Sequence, residues 1–334
     1  MELFVGLDVS KSTHDARILS AGKEAHQKIS NTKDGFEELW NTLQKRDFST
    51  LYVCLEATGL YWEALAEFLH EKGAIVFVVN ARRIKGFAMS EDKRTKTDKV
   101  DAGVIARFCR SQFAGLNPWT PPPAEVRKLQ ALSRQLESLK EDRARQQVRL
   151  KSAILCPEVV DSIKHHIDLL DAEIASIERA IKKLVKANQR MQEQHRLATS
   201  ITGVGFVTAA VVLSECRGFT DFVDRRQVAA FAGLDVSEFV SGSSINRKAR
   251  LSKRGNSRLR KALYMAALSA IRFNPVIQQL YDRLVLNGKA KMQAIGACMR
   301  KLLELMFVVV TSGCPFDPDF AGKQSQRKEA PAAA

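Results

Sequence analysis

Four carboxylates from separated stretches of the chain supply the oxygen donors that chemistry on a phosphodiester needs. Asp8 closes the apolar run Leu3-Phe4-Val5-Gly6-Leu7, and Glu56 follows a second such run at 51–55. Asp98 and Asp101 open a helical pattern three residues apart and so share its face. Taken singly, an acid of this kind is a cap or a solvated surface group; acids at strand ends have fewer such explanations. Together they read as an oxygen-ligand site for a hard divalent cation, Mg²⁺ by default. Two such ions about 4 Å apart can clamp the attacking and leaving oxygens of a phosphodiester.

A second group of residues points to the same class of substrate. In the stretch 240–268, Ser241-Gly242-Ser243-Ser244 reads either as a turn or as a flexible loop that lets a hydroxyl approach a phosphodiester. Eight cations follow without one acid: Arg247, Lys248, Arg250, Lys253, Arg254, Arg258, Arg260 and Lys261. Side chains this dense repel one another unless an anion lies across them, and phosphate is the expected anion. Gly255-Asn256-Ser257 predicts a turn and N-cap, after which Leu259, Leu263, Ala266, Ala267, Ala270 and Ile271 recur at helical spacing. Upstream, Gly203-Val204-Gly205 before an Ala/Val-rich helix looks like a helix-hairpin-helix turn, whose amides can hold a phosphate without reading sequence. A plain helix connector is the alternative.

Positioning these residues requires a definite order of elements. Apolar runs and amphipathic stretches predict β-β-β-α-β-α-β over residues 3–79, then the helix that carries Asp98 and Asp101. Pro121-Pro122-Pro123 ends this unit. Leu129, Leu132, Leu136, Leu139, Arg143, Gln146 and Leu150, then Ile163, Ile167, Leu170, Ile174, Ile177, Ile181 and Leu184, form heptad seams on two helices broken at Cys156-Pro157. An antiparallel hairpin follows, its second seam packing on the first or on another subunit. The expected division is 1–120, an acid-bearing α/β domain; 121–196, a helical coiled-coil hairpin; 197–313, a basic, mainly helical domain; and 314–334, a tail disordered from Gln324 onward.

Composition bounds the alternatives. The 334 residues suffice for two or three domains with their own cores. Net charge is +15, of which about +10 falls on 197–313. The six cysteines lack CxxC spacing and histidine partners, so neither a disulfide framework nor a zinc module is indicated, and a reduced, cytosolic protein is expected. No apolar run approaches a membrane span, and the first residues enter a strand pattern rather than a signal peptide.

GLDVSK with Asp8, LEATG with Glu56, KTDKVDA with Asp98 and Asp101, then ITGVG and LSKRGNSRLRKAL resemble the DEDD transposases of the IS one-ten insertion-sequence family over residues 1 to about 310. The resemblance implies an α/β ribonuclease-H-like (RuvC-like) N-terminal domain, an α-helical coiled-coil insertion and a mainly α C-terminal transposase domain. By it, Asp8, Glu56, Asp98 and Asp101 bind Mg²⁺ and Ser241 is the nucleophile, with Ser243 and Ser244 open as alternatives. It further implies donor and target DNA, a structured noncoding guide RNA (the bridge RNA), a homo-oligomer that is tetrameric in the synaptic complex, and a cytoplasmic, nucleoid-associated protein of a prokaryotic cell. The expected function is then site-specific recombination through a phosphoserine intermediate. The competing readings are a Mg²⁺-dependent RuvC-like junction nuclease, in which the acids activate water, and a non-enzymatic nucleic-acid scaffold.

Overall fold

A computed structural model of the chain describes residues 1–20, 22–57, 59, 61–91, 98–152, 156–241 and 245–319, with the side chains of 98–100, 238–241 and 245–249 outside that description. The chain divides into two compact units, Met1–Pro121 and Pro122–Ala334.

The first unit is built on a five-stranded sheet of order β3-β2-β1-β4-β5. Strands β1 (Glu2–Val9), β2 (Thr13–Ser20) and β3 (Lys23–Ser30) form an antiparallel meander, while β4 (Thr50–Glu56) and β5 (Ile75–Val79) run parallel to β1. Helices α1 (Lys33–Gln44) and α2 (Glu63–Glu71) cover one face, burying Leu3, Val5, Leu7, Val53 and Leu55. Helices α3 (Ala81–Ser90) and α4 (Asp98–Gln112) cover the other, over Phe4, Leu19, Cys54, Phe77 and Val79. Covered on both sides, the central strand is apolar at nearly every position, which explains why β1 reads as a continuous run rather than an alternation.

Gly6 sets how close α4 can lie. A Cβ built there would stand 2.1 Å from the Ala106 amide nitrogen and 2.5 Å from the Ala102 carbonyl oxygen, so only glycine permits this approach. The direction of α4 follows from its contacts. Residues 102 and 106 lie over Gly6, and the Phe113 ring, just beyond the helix, lies 5.3 Å from Phe4. The helix therefore runs against β1, and its first turn points toward the Asp8 end of the strand.

Among the described residues, the second unit is helical apart from one hairpin of strands. Its stem pairs α5 (Ala124–Ser152) with α6 (Pro157–Ala187). The ion pairs Lys140–Glu178 and Arg143–Asp171 show the antiparallel sense, since the partner number falls as the other rises. The α6 seam is used inside this hairpin: Ile163, Leu170 and Ile181 are buried, and Leu129, Leu136, Ile181 and Val185 share one core with Met191 and Ala210. Helices α7 (Gln189–Thr199), α8 (Phe206–Glu215), α9 (Arg225–Ala232), α10 (Ser257–Phe273), α11 (Pro275–Leu286) and α12 (Lys291–Ser312) build the larger core around Leu213, Val228, Leu263, Ala267 and Leu302. Strands β6 (Val236–Ser241) and β7 (Ile245–Leu251) form a separate antiparallel pair. The tail expected from Gln324 onward lies outside the described residues. Among the described residues no helix is long and apolar enough to cross a membrane.

Candidate active site

Asp8 and Glu56 are brought together by strand register. Leu7 pairs with Leu55 across the parallel β1–β4 ladder, so the next residue of each strand, Asp8 and Glu56, stand side by side at neighbouring strand ends. Alternation puts both on the face of Gly6 and Cys54, which is the face α4 covers. Asp101 and Asp98 occupy the first turn of α4, the end of the helix that points toward those acids. Asp8, Glu56 and Asp101 are each partly exposed, and the Asp98 side chain lies outside the described residues. Among the described residues alone, no group of three His, Cys, Asp or Glu side chains is arranged to hold a metal ion.

One further acid belongs to this face and was missed in the sequence. Asp15 of β2 is the direct cross-strand partner of Asp8. It is buried, and its Oδ1 lies 2.7 Å from His26 Nε2 with Lys28 Nζ 3.9 Å from Oδ2. The available signal was the antiparallel meander itself, because residues opposite one another share a face.

Ser241 is the last residue of β6 and pairs with Ile245, the first of β7. The expected loop is therefore the tip of a β-hairpin. Gly242, Ser243 and Ser244 lie in its connection, outside the described residues. Arg247, Lys248 and Arg250 fall on β7, with only Arg250 described at the side-chain level, where it is exposed.

The rest of the basic run is held against the fold by its backbone. The Lys253 amide donates to the Gly233 carbonyl at 3.1 Å, and the Asn256 amide to Phe231 at 2.8 Å. Lys253 adopts φ +52°, unusual for a residue with a side chain, and both it and Arg254 are exposed. Arg260 is structural: its Nη1 donates to the carbonyls of Ala232 and Gly255, each at 2.9 Å. The expectation of eight cations without acidic partners fails at two positions. Helix α5, far away in sequence, supplies Glu137 3.3 Å from Arg258 and 3.1 Å from Lys261, and Glu141 also bonds Lys261. These pairs are solvent-exposed and so worth little, and phosphate can exchange for the carboxylates.

The Gly203–Gly205 turn joins α7 to α8. At φ +100°, with Ala270 of α10 within 2.7 Å of an added Cβ, Gly203 is required by packing. Gly205 instead stands at the α8 N-cap with no side chain capping the first-turn amides and open space around its Cα.

Glu215, at the end of α8, is a polar junction that sequence reading missed. Its carboxylate accepts from Arg134 Nε at 2.8 Å, Arg134 Nη2 at 3.2 Å and Asn256 Nδ2 at 2.7 Å. The Asn256 Oδ1 meanwhile caps α10 by accepting from the Arg258 and Leu259 amides. Burial alone would raise the Glu215 carboxyl; the bonds and charge of Arg134, with Asn256 and Arg258 adding to them, outweigh it and hold the pKa below the ordinary value. The basic run is thus tied through one buried carboxylate to the α5 stem.

Comparison with known proteins defines the class. A family profile of the IS110-type DEDD domain, described as "Transposase", matches residues 5–155, and one described as "Transposase IS116/IS110/IS902 family" matches residues 195–282. The chain is similar to the "Pilin gene-inverting protein" of Moraxella bovis, with 31% identity over 320 residues, 94% of this chain and 97% of that one. The protein of the same description from Moraxella lacunata matches equally, at 31% identity and the same coverage. The "Insertion element IS110 uncharacterized 43.6 kDa protein" of Streptomyces coelicolor is 28% identical over 155 residues, 46% of this chain and 37% of that protein. The protein is accordingly an enzyme, a DNA transposase or recombinase. Within that class the chain belongs to the IS116/IS110/IS902 family of transposases.

Proposed function

We propose that this enzyme recombines DNA at defined sites, inverting or moving a segment, through a covalent serine intermediate assisted by Mg²⁺ at Asp8, Glu56, Asp98 and Asp101. The observation that carries the reading is the meeting of Asp8 and Glu56 at neighbouring strand ends, with the first turn of α4 pointing to the same edge. This donor set of carboxylate oxygens fits a hard divalent cation, which when bound would neutralise charge on the scissile phosphate. We read the first unit as ribonuclease-H-like, a reading supported by an antiparallel meander extended by two parallel strands with helices on both faces. Inversion as one outcome is suggested by the name of the Moraxella relatives.

In the chemical step, Ser241 Oγ bonds to phosphorus as the bond from phosphorus to one sugar oxygen breaks. The serine proton passes to a base and the departing sugar oxygen gains one, leaving a phosphoserine-linked strand. Because no water enters, the link keeps the free energy needed for a hydroxyl of another DNA end to rejoin the strand and release the serine. Ser243 and Ser244 are the alternative nucleophiles. Phosphates would be held by Arg247, Lys248, Arg250, Lys253, Arg254 and Arg258, and by the amides at Gly203 and Gly205, without base readout. Arg260, whose guanidinium holds two backbone carbonyls, would support that surface from behind. Sequence choice then rests with a noncoding guide RNA that pairs with donor and target DNA, and the enzyme works as a homo-oligomer. The hairpin 121–196 and the domain 197–313 would have separate roles, assembly and strand exchange.

Asp101→Asn tests the acid site, since it removes a charge at nearly constant shape. Folding and DNA binding should persist while strand cleavage falls roughly a hundredfold or more, and Mg²⁺ depletion should copy the effect. Full cleavage by the variant, or loss of folding in place of activity, contradicts the assignment.

A further inference from the structure

The last turns of α6 carry an exposed row of cations that the chemistry above does not use. Arg179, Lys182, Lys183 and Lys186 are spaced i, i+3, i+4 and i+7, which sets them on one stripe about 10 Å long. They line one open concavity, and exposed Arg190 follows in the first turn of α7. Residues 179–190 contain no acid. The carboxylates flanking them are engaged elsewhere, Glu178 by Lys140 and Glu193 by Arg196. Complementing the C-terminal dipole of α6 accounts for cations in its last turn; it does not account for Arg179 and Lys182, further up the helix.

The structure fixes where this stripe lies. Lys182 Nζ stands 5.8 Å from the centre of the Phe206 ring, and Phe206 opens α8 directly after the uncapped Gly205. At the other end of α8, Glu215 bonds Asn256 and so meets the start of the basic helix α10. Ten residues of helix, roughly 15 Å, separate the two cationic surfaces.

We propose that Arg179, Lys182, Lys183 and Lys186 form a second docking surface for the backbone of duplex DNA, one α8 length from the basic run. It rests on the reading of the basic run as a phosphate-binding surface and extends that footprint. Duplex DNA is the occupant because it is the nucleic acid the established activity requires. A row of unpaired cations has no geometry for reading bases, so the contact adds affinity and register without sequence preference.

The test is a salt titration of duplex DNA binding by the full chain carrying K182Q/K183Q/K186Q, beside K253Q/R254Q in the basic run. Each lost phosphate contact lowers the slope of log affinity against log salt by roughly 0.9, so the stripe variant should lose about 2 to 3. Its melting curve should shift little, because all three side chains are exposed and only Lys182 leans on a neighbouring ring. Single K183Q should lose about 1, which keeps the test decisive if the triple variant is unstable. An unchanged slope in the stripe variant, with a reduced slope in K253Q/R254Q, overturns the second surface and leaves the first intact. Unchanged slopes in both overturn both. A slope that falls with a structured RNA hairpin but not with duplex DNA overturns the assignment to DNA.

Discussion

Glu215 shows how much one buried carboxylate organises. It joins Arg134 of the stem to Asn256, the residue that caps the basic helix. Glu215→Gln leaves Arg134 without its charge partner, and the cost should be about 2 to 3 kcal/mol, toward the lower end because the Arg134 side chain is 31% exposed. The carboxyl is held below its ordinary 4.5, so the folded state binds fewer protons than the unfolded one. Its contribution is therefore complete above about pH 4.5 and disappears as pH falls through the lowered value. Denaturant unfolding from pH 7 into acid should show the wild-type advantage over Glu215→Gln constant at first and shrinking as the carboxyl takes up its proton. A gap independent of pH contradicts this account. Asp8 and Glu56 were legible in the sequence because each ends an apolar run. Glu215 was not, because its partners lie 81 and 41 residues away and its own helix reads as uniformly apolar.

Among the elements, α4 depends on a single missing side chain. Gly6→Ala would push Ala102 and Ala106 off the sheet and move the first turn of α4 away from Asp8 and Glu56. Overpacking of this kind costs about 1 to 3 kcal/mol, and strand cleavage should fall further than that loss of stability explains. Gly86→Ala in α3 is the control: nothing lies within 4 Å of the added Cβ, so it should stabilise the fold by about 0.5 to 1 kcal/mol at unchanged activity. Equal effects of the two changes on cleavage would remove α4 from the site. The order β-β-β-α-β-α-β was readable because β1, β4 and β5 are apolar runs and the mixed strands β2 and β3 lie between turn residues directly after β1. The β6–β7 hairpin was not, since β7 is half cationic and the pair carries a register shift between Ser237 and Phe239. Helices α3 and α11 also went unread: both are short, and each fully buries a single residue, Ile84 or Ile277, while Phe87, Leu280 and Tyr281 pack on the cores only half-buried.

At the scale of the whole molecule, charge and apolar surface have separate addresses. The α6 seam expected to pack on α5 or on another subunit packs on α5 within the chain, with Ile163, Leu170 and Ile181 buried there, so the homo-oligomer we propose would draw on other surfaces. Val148, Val159 and Leu169 are apolar and exposed on the stem, and Leu169→Glu should weaken self-association in sedimentation experiments without changing the melting curve. An unchanged association constant sends the contact elsewhere. The reading of a basic second half survives in the exposed Arg250, Lys253 and Arg254, while Arg258 and Lys261 already face carboxylates of α5. The proposal that Ser241 becomes covalently linked to DNA is tested most directly by stopping the reaction with denaturant and looking for protein that still carries a DNA strand. The unaltered enzyme should give such an adduct, stable to denaturation and mapping to a peptide containing Ser241, and Ser241→Ala should give none. Strand cleavage without any adduct, or an adduct that persists in Ser241→Ala, would contradict it.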